Sequence, residues 1–314
     1  MSILNHFYLG VLLVFLSAAG FGLIPIFALY AYGGGASVTT LLFGRFALAA
    51  IFFLSYLLYK ERKISVQRSQ LKYLFLMGGV IYTLQSYLYL SSVKYIPASL
   101  AVLVFYIYPV FVAVLSSFLD KEELHKKIIF SIVLSLVGLT LVLGISFGDI
   151  NLTGVMLAFG AGLVYSAYLV LGNRVVKETS AMVTSAFVCL SAATSIFVIG
   201  ISTGALDFNL TREAWLAILG VALCCTVLAI FTLFRGIELI GSTKASILSM
   251  IEPLITIGFS AALFNERLSL LQMMGGVAVL AGAVLVISAR DRSETTTKSV
   301  SPAKGAKIQK YKNF

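Results

Sequence analysis

Charge is scarce in this chain. Only 11% of its 314 residues are Asp, Glu, Lys or Arg, against 60% hydrophobic and a mean hydropathy of +1.00, far outside the range of water-soluble domains. Histidine is nearly absent: His6 and His125 both sit at the edges of apolar runs. With no HExxH and no pair of aspartates inside a run, metal or intramembrane hydrolytic chemistry has nothing to work with. The three cysteines, Cys189, Cys224 and Cys225, all lie in apolar stretches. They read as small buried hydrophobes, not as a disulfide framework or a metal site, and no cofactor is expected. The net charge of +10 would suit nucleic acid, but the basic residues fall in short loops and the tail, where positive charge reports membrane topology. No nucleic-acid partner is expected; membrane lipid is.

What is present is long apolar runs. About 20 such residues cross the hydrocarbon core, and ten runs can be cut out: Phe7 to Tyr30, Val38 to Tyr59, Leu71 to Ser92, Ala98 to Leu119, Lys127 to Phe147, Leu152 to Gly172, Ala181 to Thr203, Glu213 to Phe234, Ser242 to Phe264 and Leu270 to Ala289. Each must be a helix, because barrel strands would be shorter and would alternate in polarity. The first run has no Lys or Arg before it and is too long for a signal peptide, so it is read as a retained span. Of the 23 Lys and Arg, all but Lys94, Arg212, Arg267 and the intraspan Arg45 fall in the tail or in the loops after the even-numbered runs. The positive-inside rule then puts both termini in the cytoplasm of a cell (inner) membrane protein. The tail from Arg290 to Phe314 is polar and basic, and reads as disordered near anionic headgroups.

The stretch Ser242 to Leu268, STKASILSMIEPLITIGFSAALFNERL, has an earlier copy 144 residues before it, Ala98 to Leu124, ASLAVLVFYIYPVFVAVLSSFLDKEEL. In one gapless register Pro109 meets Pro253, Glu122 meets Glu266 and Gly138 meets Gly282. Gly10, Val11, Leu13 and Phe15 likewise meet Gly154, Val155, Leu157 and Phe159. Each half holds five spans, and an odd number forces the second half to insert upside down, the inverted-repeat plan of membrane carriers. The expected fold is therefore all-α and integral to the membrane: ten transmembrane helices as two inverted five-helix repeats, 1–147 and 148–289, followed by a tail, 290–314.

The segments YPVFVAVLSSFLDKEEL and EPLITIGFSAALFNERL, each followed by a Gly-containing helix, together with GRFALAA in the second run, resemble the drug/metabolite transporter superfamily, in its EamA-like ten-helix branch. The resemblance spans nearly the whole chain except the tail. It implies a carrier of small metabolites, often an exporter, whose central cavity opens alternately to each side. It does not choose a substrate.

Residues shared by both halves are read as scaffold: Pro109 and Pro253 as paired kinks, Glu122 and Glu266 as polar anchors before the next helix, Gly138 and Gly282 as points of close helix approach. Residues without a counterpart are the site candidates. Glu252 pairs with Tyr108 and Arg45 with Cys189, so each intraspan charge belongs to one half only. An acid at the bilayer centre is costly enough to mark a functional position. Arg45 either faces the cavity or snorkels to the outer headgroups. Ser246, Ser249, Glu252, Thr256 and Ser260 run down one side of the ninth run, and Tyr82, Gln85, Ser86 and Tyr89 do so on the third at i, i+3, i+4 and i+7. Tyr106, Tyr108, Tyr165 and Tyr168 add phenols at comparable depth, whereas Tyr30, Tyr59 and Tyr95 read as interfacial belt residues.

Phenols, one amide, one acid and one guanidinium suit a small zwitterion or amine, for example an amino acid. They suit a nucleotide sugar poorly, since phosphates call for several basic groups. Glu252 could also exchange a proton for substrate. The alternative functions are an intramembrane enzyme or a channel, although nothing marks a selectivity filter. Oligomeric state is open: Ser131, Ser135, Gly138, Ala278 and Gly282 could pack within the bundle or between protomers.

Overall fold

A chain this apolar can satisfy its backbone inside hydrocarbon only by forming helices or a closed barrel, and it forms helices. The computed structural model describes residues 3–60, 66–92, 95–96, 98–121, 124–144, 151–264 and 269–288. Glu122, Glu266 and the tail from residue 289 lie outside the described residues. Nine spans long and apolar enough to cross a membrane occur among the described residues: α1 (Asn5–Gly33), α2 (Val38–Lys60), α3 (Ser69–Ser92), α4 (Leu100–Leu119), α5 (Lys126–Leu143), α6 (Leu152–Glu178), α7 (Ala181–Thr203), α8 (Arg212–Ile240) and α10 (Leu270–Ser288). The ninth run in chain order, α9, is built of three successive pieces, Ser242–Leu248, the 3₁₀ turn Ser249–Ile251, and Glu252–Phe264.

The packing repeats under exchange of the halves. Helix α1 packs on α8 and α9, and its counterpart α6 packs on α3 and α4. The contact of α2 with α8 is mirrored by that of α7 with α3, while α2–α7, α4–α9 and α5–α10 each map onto themselves. Five spans per half place the axis of that exchange in the membrane plane, so the protein is an inverted-repeat bundle.

Lipid supplies no hydrophobic drive to join helices, so close approach of small residues must do it. The α5–α10 pair shows this most clearly. A Cβ on Gly138 would stand 2.7 Å from the Gly275 carbonyl oxygen, and one on Gly275 would stand 2.5 Å from that of Gly138. Either contact would drive the helices apart. Ser131, Ser135 and Gly282 are buried in the same seam, whereas Val277 and Val284 of α10 face outward. The small-residue stripe left open by the sequence therefore packs inside one protomer.

Helices break where the two prolines are. Helical pieces Ala98–Phe105 and Tyr108–Leu119 are joined by a turn at Tyr106 and Ile107, with Pro109 in the first turn of the second piece. In α9 the 3₁₀ turn falls at the matching register, with Pro253 just past it. A proline removes a backbone donor and clashes with the preceding turn, so a break one turn upstream is its ordinary effect. Two further irregularities had not been read from the sequence. Leu76–Tyr82 of α3 and Leu223–Leu228 of α8 are wound as π-helix. In both, a threonine hydroxyl donates to the carbonyl five residues back: Thr83 to Gly78 at 3.1 Å and Thr226 to Val221 at 2.9 Å. The second irregularity belongs to one half alone: α1 is interrupted at Leu23, ahead of Pro25, while its counterpart α6 runs unbroken for 27 residues.

Candidate functional site

The paired breaks and the break in α1 meet at one level, and a cavity of about 370 Å3 begins there. That volume is at the lower end of the range for small-molecule sites. Its walls are α1 from Phe21 to Tyr32, the first turns of α2, the second half of α3, the start of α4, and α9 from Glu252 to Ile257, with Tyr165, Val221 and Leu143 closing the sides. All of these point toward the face opposite the N terminus. The cavity is therefore open on that face and closed on the other.

Glu252 lines it just beyond the 3₁₀ turn, partly buried. The Tyr106 phenol comes up to its carboxyl, and the Arg45 guanidinium is near enough to act on it electrostatically. Thr256, one turn on, donates to the Gly22 carbonyl at 2.9 Å, tying α9 to the interrupted part of α1. Glycine is needed at position 22, because a Cβ there would meet the Glu252 carbonyl oxygen at 3.0 Å.

Arg45 does not snorkel. It is 4% exposed, its Nε donates to the Thr226 hydroxyl at 3.1 Å, and its guanidinium carbon stands 4.7 Å above the Phe46 ring. The α8 π-helix thus turns out to be the seat of this arginine. Thr226 spends its proton on Val221 and offers its oxygen to Arg45. The Nη2 of Arg45 is buried with no hydrogen-bond partner, an expensive condition for a cation unless something else completes it.

The opposite wall is aromatic. Tyr165 lies 4.9 Å from Tyr108 and 5.7 Å from Tyr168, Tyr82 lies 5.3 Å from Tyr168, and Tyr89 reaches Phe105 at 5.3 Å, all between ring centroids. Such edge-on and offset contacts fix each ring in place. Tyr82, Gln85, Ser86, Tyr89, Tyr106, Tyr108 and Tyr165 all line the cavity. Two candidates do not. Tyr168 is 1% exposed and backs the wall from behind. Ser249 sits in the 3₁₀ turn and donates to the Ala245 carbonyl at 2.9 Å. The turn is the reason: it rotates Ser246 and Ser249 away from the line that Glu252 and Thr256 follow. Among the wall residues that sequence reasoning missed are Pro25, Tyr32 and Phe105. Of these three, Pro25, a proline inside an apolar run, carried a signal.

A cavity at mid-depth between two inverted helical repeats, open to one side only, defines a membrane transporter. The chain belongs to the EamA-like transporter family, whose model matches residues 8–144 and again 152–288. Among curated proteins it is similar to the uncharacterized transporter YyaM of Bacillus subtilis, 26% identical over 256 residues, covering 76% of this chain and 81% of that one. An uncharacterized transporter of Haemophilus influenzae is 25% identical over 296 residues, covering 88% and 94%. A protein of known crystal structure shares the fold with a TM-score of 0.76 at 19% identity, covering 88% of this chain and 96% of its own.

Proposed function

We propose that the protein is a secondary transporter of a small zwitterionic or amine metabolite, of the size and polarity of an amino acid, working by alternating access. One observation carries the reading: among the lining residues Glu252 is the single acid and Arg45 the single base, and they stand in one cavity at the level where the helices break. An ammonium group placed at Glu252 and a carboxylate placed at the unpartnered edge of Arg45 would each satisfy a charge that the protein leaves incompletely paired. The aromatic wall takes the rest of the solute and supplies cation–π attraction to the ammonium. Phosphorylated solutes fit poorly, since one arginine cannot answer two or more negative charges.

The loop charges support an N-terminal face turned to the cytoplasm of the inner membrane. In that orientation the structure is an outward-open state, and export ends with release from it. Glu252 serves as proton carrier as well as solute ligand, taking a proton when the solute leaves. The test is counterflow in proteoliposomes against a panel of amino acids and amines, with and without a pH gradient. Saturable counterflow that a pH gradient drives in wild type, and not in Glu252→Gln, is the expected result. Gradient-driven flux that persists in the variant removes Glu252 from coupling, and unsaturable flux removes the carrier.

A further inference from the structure

The closed half of the bundle shows how it is held shut. From the cavity floor toward the N-terminal face, three contacts bridge helices of different groups. The Tyr108 hydroxyl donates to the Ser246 carbonyl at 3.4 Å, and the Ser116 and Ser242 hydroxyls share a hydrogen bond at 2.8 Å, both joining α4 to α9. At the rim Asp120, just past the end of α4, accepts from Asn173 Nδ2 at 2.9 Å and from Arg174 Nε at 2.8 Å, both on α6. Arg174 Nη2 also donates to the Leu119 carbonyl. A carboxylate at a helix C-terminus opposes the helix dipole, so Asp120 is badly placed for its own helix and is compensated by its partners on α6. Asn173 is fully buried, Asp120 mostly so, and Arg174 about half exposed.

The repeat shows what should close the other face. In an inverted-repeat carrier the second state is reached when each half adopts the arrangement of its counterpart, so the contacts of one closed face forecast those of the other. The 144-residue register carries Asn173 and Arg174 onto Leu29 and Tyr30, and Asp120 onto position 264, a phenylalanine. Leu29 and Tyr30 are both exposed at the open face. The trio that closes the N-terminal face is polar and charged, and the three positions that match it in the register are two hydrophobes and a tyrosine.

Resting on the alternating-access reading, we propose that Asp120, Asn173 and Arg174 form a latch that holds the N-terminal face shut and must break once in every cycle. The matching positions in the register, Leu29, Tyr30 and Phe264, carry no carboxylate, carboxamide or guanidinium with which to form the same latch. The latch therefore biases the empty protein toward the state seen here, with its cavity facing away from the N terminus.

Cysteine accessibility tests this in detergent, with alkylation by a water-soluble maleimide read peptide by peptide so that Cys189, Cys224 and Cys225 do not interfere. Ser246→Cys reports the closed path, being 1% exposed beside the Tyr108 contact, and Ala28→Cys reports the open cavity wall. In the Asp120→Asn and Arg174→Gln backgrounds, labelling at 246 should rise about fivefold, the scale of one partly exposed charge pair, while labelling at 28 falls. Arg174→Lys should stay closer to wild type than Arg174→Gln. A variant that merely unfolds would raise labelling at both positions, which would assign the trio a folding role and overturn the latch. Unchanged labelling at 246 in both backgrounds, with the two reporters still opposed in wild type, overturns the latch and leaves the carrier intact. Rapid labelling at both positions of the wild-type protein would mean an open pore and overturn the carrier reading itself.

Discussion

Set side by side, α4 and α9 break at the same register, one ahead of Tyr108 and Pro109, the other ahead of Glu252 and Pro253. The prolines agree and their neighbours do not. Where both halves need the same bend the residue is duplicated, and where a single cavity needs one acid, the copy carries a phenol that joins the aromatic wall. The same division runs through α2 and α7: Arg45 has Cys189 as its counterpart, yet both are buried. At these positions the shared residues shape the helices, and the two unshared charges line the cavity.

That division can be broken experimentally at its unequal positions first. Glu252→Gln keeps the shape of the side chain and removes the charge that Tyr108 never had. It should weaken solute binding about 100-fold, the scale of losing one partner of a buried charge-assisted contact, as read by equilibrium binding to purified protein. Tyr108→Phe, at the matching position, removes a neutral hydroxyl that bonds to Ser246 at 3.4 Å and should cost less than about fivefold. Where two glycines face each other across a seam the effects should match. Gly138→Ala and Gly275→Ala each push a methyl against the partner's carbonyl across the α5–α10 seam. Each should destabilise the fold by about 2 kcal/mol with solute affinity unchanged, as read by thermal unfolding alongside binding. A large difference between the two would mean that the glycines do not face each other as closely as described.

Thr226→Val separates the two π-helical segments more gently. It removes the acceptor for Arg45 Nε and should lower affinity about fivefold, near 1 kcal/mol. Thr83→Val breaks the matching bond in α3, where no arginine depends on it, and should leave affinity within about twofold.

Most of the architecture was legible in the sequence because it is written as repetition. Ten apolar runs, a gapless register and two prolines fix the spans, the inversion and the paired breaks. The tyrosine stripe of α3 was legible for a similar reason, since helical spacing on a continuous helix survives folding. The stripe of α9 was only half legible: the 3₁₀ turn intervenes between Ser249 and Thr256. Which of its two readings Arg45 would follow was not legible. Its partner Thr226 is 181 residues away, in a π-helical segment whose winding no local pattern announces. The Asp120–Asn173–Arg174 cluster escaped for another reason, because residues near helix ends read as solvated loop charges until packing brings two ends together.

The central claim, that the lone acid of the cavity holds the solute, is met most directly by one comparison. Wild-type protein and Glu252→Gln are screened by thermal shift against the same panel of amino acids, amines and nucleosides. A ligand at about 100 times its Kd stabilises by about 2.7 kcal/mol, well within reach of the method. The account predicts at least one amine or zwitterion that raises the melting temperature of wild type and leaves the variant unmoved. An equal rise in both proteins would contradict it.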